Sequence, residues 1–216
     1  VFELYNEPHP EAVRPDIDVL GCWRNGCEIP NENWRAAGMQ QLIDAIRATG
    51  ATQPILVPGI NYSQVLYQPA GQGLTAPVGW LTPGVRPTDT LNPPQLAADN
   101  HMYSWSYDKT DLGCPEGSTP DCWDHRLGII AAQVPLVTDE IGESDCNTSS
   151  KFIESYMDWA DTKPPAGRDK VSYLGWTFNA DYDCNDVNTT LITDWSGTPN
   201  PSGVALRAHL ISNDGR

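Results

Sequence analysis

Short apolar runs alternate along this chain with segments whose apolar residues recur every three or four positions. Val1-Phe2-Glu3-Leu4-Tyr5, Ile55-Leu56-Val57 and Pro135-Leu136-Val137-Thr138 read as strands. Leu96 to Tyr103 and Val171 to Phe178 are weaker runs of the same kind. Between them the longer period predicts helices. Trp34 to Thr49 places Ala37, Met39, Leu42, Ile43 and Ile46 on one face, with Gly50 where a C-terminal cap belongs. Trp123 to Gln133 follows, then Ser150 to Asp161 with Phe152, Ile153, Tyr156 and Met157 on one stripe, and Ser202 to Ser212 closes the sequence. Repeated strand, helix, strand implies parallel pairing through right-handed crossovers, so the expected class is α/β. The Pro/Gly-rich stretch Gln68 to Pro94 reads as a loop excursion, because the alternation resumes after it. The 216 residues are therefore expected to form a single domain.

Polar and aromatic residues gather where the expected strands end. Asn6-Glu7-Pro8 ends the first and Asn61-Tyr62 follows the second. His101, Tyr103 and Trp105 alternate on the third, Asp139-Glu140 ends the fourth, and Trp176 lies on the fifth. In a parallel α/β barrel the chemistry sits at the carboxyl ends of the strands, so five such ends together read as an active-site face.

Composition narrows what that face can bind. The formal net charge is −15, which repels a phosphate backbone and an anionic membrane surface alike. Eight Trp and eight Tyr supply flat faces for an uncharged ligand. The six cysteines (22, 27, 114, 122, 146 and 184) form no CxxC pair, and the four histidines do not bracket them at zinc spacing. Three disulfides in an oxidising compartment are expected instead, and a secreted protein with them. Nearest-neighbour pairing gives Cys22–Cys27, Cys114–Cys122 and Cys146–Cys184, with other connectivities open. Sequons at Asn61, Asn147 and Asn188 suit the same location. The sequence opens without an initiator Met or a leader, so translation is expected to begin upstream.

Glu7 and Glu140 each close a strand, on different units. Two carboxyl groups about 5 to 5.5 Å apart are what a retaining glycosidase needs, one as acid/base and one as nucleophile. Their surroundings carry a resemblance. Phe2-Glu3-Leu4-Tyr5-Asn6-Glu7-Pro8 resembles the fourth-strand signature of family 5 glycoside hydrolases, and Leu136-Val137-Thr138-Asp139-Glu140-Ile141-Gly142 is similar to the seventh-strand motif. His101-Met102-Tyr103 is similar to the sixth-strand His-x-Tyr, and Gly175-Trp176-Thr177-Phe178 to the eighth-strand segment. The resemblance, closest to secreted bacterial endo-β-1,4-glucanases, implies Glu7 as acid/base and Glu140 as nucleophile. It also implies that Asn6 binds the sugar 2-hydroxyl, Tyr103 contacts the nucleophile, Trp176 floors the subsite beside the cleaved bond, and His101 belongs to the site. Glu143 is a rival nucleophile, ranked below Glu140 because it lies past Gly142. Asn61, Tyr62, Trp105 and Trp195 are further subsite candidates.

The resemblance further implies a partial TIM (β/α) barrel of about five parallel strands and four long helices, equivalent to strands four to eight. The first three strands, with the second-strand Arg and third-strand His, fall outside it. Such a sheet has two edges, so a homodimer covering them is expected. No metal or organic cofactor is implied. The alternatives are a non-catalytic carbohydrate-binding protein and a hydrolase of another β-glycan, such as mannan or β-1,3-glucan.

Overall fold

In the computed structural model of the chain, residues 1–10, 18–29, 32–68, 78–106, 119–143, 150–162, 170–180 and 189–213 are described. Cys114, Cys146 and Cys184, and the sequons at Asn147 and Asn188, lie outside them.

Chain order begins with β1 (Phe2–Glu3), α1 (Val19–Asn25), a hairpin of β2 (Cys27–Glu28) and β3 (Arg35–Ala36), α2 (Met39–Ala48) and β4 (Ile55–Pro58). A second hairpin, β5 (Tyr67–Gln68) with β6 (Val78–Gly79), precedes β7 (Leu96–Tyr103). Then come α3 (Pro120–Trp123), a π turn (Asp124–Gly128), α4 (Ile129–Ala131), β8 (Leu136–Gly142), α5 (Lys151–Asp161), β9 (Ser172–Gly175) and α6 (Pro201–Asn213). The fold is α/β, with five parallel strands in the order β1-β4-β7-β8-β9 and the strand-helix alternation of a partial (β/α) barrel. Phe2 pairs with Ile55, and Ile55 with Leu96. The five strands expected from the sequence are these five, β1 and β9 being shorter than their apolar runs.

Burial explains the order. Every residue of β7 is buried, as the central strand of a parallel sheet covered on both faces should be. Both residues of β1 are exposed, and β9 alternates exposed and half-buried residues, as end strands do. The chain divides into two compact units, Val1–Asn100 with His125–Val137, and His101–Asp124 with Thr138–Arg216.

In the first unit, α2 begins five residues later than its apolar period suggests. Arg35 and Ala36 are taken into the ladder with β2, and the Arg35 guanidinium donates to the carbonyls of Asn25 and Gly26. A side chain on Gly38 would come within 2.2 Å of the Gly26 backbone nitrogen, so the strand can turn into α2 only through a glycine. The Cys22–Cys27 disulfide fastens the same corner to α1. Gly50, at φ +85°, ends α2 as expected. Helix α1 is an addition to the sequence reading; Asp18 caps it, Oδ1 accepting from Gly21 N at 2.9 Å.

In the second unit, Trp123 packs edge-on against Phe152, Tyr156 and Trp159, which joins α3 to α5. The hydroxyls of Thr138 and Tyr156 meet at 2.7 Å and tie β8 to α5. Asn200 starts α6, its Oδ1 accepting from Gly203 N at 2.9 Å. The single helix expected over Trp123 to Gln133 is instead two short α segments around the π turn, an arrangement frequent at functional sites.

Candidate active site

The first unit carries Asn6 and Glu7 just beyond β1. Asn6 is exposed, Glu7 half-buried and Pro8 buried. Glu7 adopts φ +49°, a left-handed conformation that a β-carbon disfavours. His9 Nδ1 lies 2.8 Å from the Glu7 carbonyl oxygen, and the His9 ring stacks on Tyr62 with centroids 4.4 Å apart. Tyr62 sits in a run of three left-handed residues, Asn61, Tyr62 and Ser63, that follows β4. The buried Asn100 amide donates to the Ser63 carbonyl at 3.2 Å and holds that turn from β7.

The second unit gathers His101, Tyr103, Asp139 and Glu140. These come from two adjacent strands, β7 and β8. Residues two apart on a strand share a face, so His101 and Tyr103 point the same way. The Tyr103 hydroxyl donates to Glu140 Oε2. His101 Nδ1 lies 3.2 Å from that same oxygen, and its Nε2 lies 3.2 Å from Asp139 Oδ1. His101 is fully buried and Glu140 almost so. Burying a carboxylate is costly unless it is hydrogen-bonded, and this one is gripped at a single oxygen by two side chains. The two carboxylates approach different nitrogens of the ring, so within this unit they do not converge on one ion.

Around this cluster the chain is tight and aromatic. Trp105 stacks on Tyr103 at 4.4 Å and stays 38% exposed on its other side. A side chain on Gly142 would meet Thr189 Cβ at 2.7 Å, which explains the glycine two residues after Glu140. Trp176 donates its backbone N–H to the Ile141 carbonyl at 2.8 Å and is 43% exposed. Trp195 is exposed on a turn closed by Asp194.

Glu143 has a different surrounding. Its Oε2 accepts from the backbone N–H groups of Phe152 at 3.0 Å and Ile153 at 3.3 Å, the unsatisfied donors at the N-terminus of α5. Sequence reasoning named Glu143 only as a rival nucleophile and missed this capping position; the signal was its place eight residues before Lys151, the first residue of α5. Asp139 was likewise seen as a strand end and not as a partner of His101. A carboxylate on the neighbouring residue could have suggested it.

The cellulase family, glycosyl hydrolase family 5, matches residues 1–182. An endoglycoceramidase I of Rhodococcus hoagii is 29% identical over 190 residues, covering 81% of this chain and 35% of its own length. A β-glucanase of Saccharophagus degradans, solved in complex with cellotetraose, is 21% identical with a TM-score of 0.53, covering 80% of this chain and 46% of its own. An endoglucanase of Pseudomonas stutzeri, in complex with cellobiose, is 16% identical with a TM-score of 0.52, covering 95% of this chain and 52% of its own. The chain thus spans about a third of that curated relative and about half of those solved chains.

Proposed function

The chain belongs to glycosyl hydrolase family 5, and from that premise we propose that it is a retaining endo-β-1,4-glucanase with Glu7 as acid/base and Glu140 as nucleophile. The observation that carries the reading is the grip of Tyr103 and His101 on one oxygen of Glu140. Fixing Oε2 orients the carboxylate so that Oε1 attacks the anomeric carbon. A bond forms between Oε1 and that carbon while the bond to the leaving sugar oxygen breaks, and Glu7 gives that oxygen its proton. In the second step the Glu7 carboxylate takes a proton from water, the water oxygen bonds to the anomeric carbon, and Glu140 leaves as carboxylate. Asn6 holds the sugar 2-hydroxyl, and Trp176 stacks beneath the ring that is attacked.

Cello-oligosaccharides in the complexes of two structural neighbours support a β-glucan substrate. The similarity to an endoglycoceramidase favours a second reading, hydrolysis of a β-glycoside in a glycosphingolipid. Reducing-sugar release from carboxymethylcellulose is the expected result. Release only from a glycosphingolipid selects the second reading, and release only from mannan or β-1,3-glucan points to another β-glycan. Binding of the polymers without release from any of them removes the hydrolase reading altogether. The Cys22–Cys27 disulfide, together with the disulfide-bonded state of Cys122, supports action outside the reducing cytosol.

Stereochemistry gives a sharper check. Two displacements at one carbon restore its configuration, so proton NMR of the earliest products from a reduced cello-oligosaccharide should show the β-anomer first. An initial α-anomer would mean a single displacement by water and no covalent step at Glu140.

A further inference from the structure

We infer that His9 is a positioning residue for Glu7, bracing the backbone conformation from which the acid/base carboxyl is presented; the inference rests on the catalytic reading above. Glu7 is held at φ +49°, where a residue with a β-carbon stays only if its surroundings hold it. The next residue is Pro8, which has no N–H and fixes its own φ, so the local chain has little freedom to relax around Glu7. His9 Nδ1 meets the Glu7 carbonyl at 2.8 Å. A carbonyl oxygen only accepts, so Nδ1 carries the hydrogen of this bond. That bond, from two residues ahead back to Glu7, closes a small ring of atoms and sets the direction of the Glu7–Pro8 peptide.

The imidazole is itself held in place. It lies nearly parallel to the Tyr62 ring, 4.4 Å away and inclined by 18°. Tyr62 belongs to the left-handed turn after β4, and that turn is anchored by Asn100 of β7 through the Ser63 carbonyl. The segments that follow β1 and β4, the latter anchored by β7, therefore meet at the backbone of Glu7 through His9. Tyr62 is 44% exposed, so the stack is a rim feature rather than part of the core. Its outcome is the aim of one carboxyl group.

A positioning role for the acid predicts a loss that depends on the leaving group, which a general loss of structure does not. Phenyl β-cellobioside needs its leaving oxygen protonated; 2,4-dinitrophenyl β-cellobioside does not. For His9→Ala and His9→Phe, kcat/KM on the phenyl glycoside should fall about 30-fold, and on the dinitrophenyl glycoside by less than about 3-fold, since small misplacements of a catalytic group carry losses up to this order. Phe keeps a ring against Tyr62 but has no donor, so it should be as impaired as Ala. His9→Asn places an amide N–H where Nδ1 stands and should recover most of the loss. Equal losses on both glycosides, or no loss on either, overturn the proposal. A readout independent of turnover is the crystal structure of His9→Ala. Glu7 should leave the left-handed region and its carboxyl should shift; an unchanged Glu7 overturns the proposal. A wild-type chain that hydrolyses neither glycoside overturns the catalytic reading instead, and the crystal comparison still decides the role of His9.

Discussion

Glu140→Gln is expected to lower glycoside hydrolysis by about 10³-fold or more while leaving the chain folded, because the amide keeps the shape but cannot act as the nucleophile. The Tyr103 hydroxyl still has an oxygen to donate to, so circular dichroism and the melting transition should stay close to wild type. Glu7→Gln should cause a comparable loss on substrates with poor leaving groups, since the proton donor is removed. Glu143→Gln is the informative contrast. Its carboxylate caps α5 through the N–H groups of Phe152 and Ile153, so the substitution should cost about 0.5–2 kcal/mol of stability and leave the rate nearly unchanged. If Glu140→Gln kept most of the activity while Glu143→Gln lost it, the nucleophile would have been assigned to the wrong residue. Assays of the three variants on one substrate, beside their denaturation curves, make the comparison.

Asp89→Asn is expected to destabilise the fold by about 3–5 kcal/mol, the usual cost of leaving one member of a buried ion pair unpartnered. Arg47 of α2 clamps Asp89 with two parallel bonds, Nε to Oδ1 at 2.8 Å and an amino nitrogen to Oδ2 at 3.0 Å. Both side chains are almost wholly buried, 4% and 0% exposed. Asp89 also accepts from the backbone of Gln95 and Leu91, while the same Arg47 reaches the carbonyls of Ala51, Gln53 and Gln95. The pair therefore pins the end of α2 to the approach of β4 and β7. The Arg47 guanidinium is the main reason that the Asp89 carboxyl is pulled down to about 2 from its ordinary 3.8. A carboxylate depressed in the folded state stabilises above its unfolded value and loses that contribution as pH falls through its folded value. Between about pH 4 and pH 2 the wild type should lose about 2 kcal/mol through this group, and Asp89→Asn should lack that part of the slope. Urea denaturation at a series of pH values measures it; parallel curves for the two proteins would show that Asp89 does not carry the acid sensitivity.

Much of the fold was legible because period and burial agree. Leu96 to Tyr103 is wholly buried, yet it contains Asp99, Asn100 and His101 in succession, which is why its apolar run looked weak in the sequence. Polar residues buried in a central strand carry a cost that packing alone does not repay, and the second unit shows what His101 does there. Helix α1 escaped the sequence reading because seven residues are too few for a period to establish itself. The late start of α2 escaped it because a ladder with β2 outcompeted the helical propensity of Arg35 and Ala36, and ladder partners are chosen by tertiary structure.

What the sequence determined by itself was local. It set the α/β alternation, the five segments that become strands, the glycine cap at Gly50 and the Cys22–Cys27 pair, since each depends on residues near one another along the chain. It also put Glu7 and Glu140 at strand ends. Tertiary structure decided which distant groups meet. Tyr103 and His101 reach Glu140 across 37 and 39 positions of sequence, Tyr62 reaches His9 across 53, and Asp89 reaches Arg47 across 42. A hydrogen-bond partner is fixed by strand register and side-chain direction, to within a few tenths of an ångström. No periodicity encodes that distance, so the grip of Tyr103 and His101 on Glu140 and the stack of Tyr62 on His9 emerged only once the strands were laid side by side.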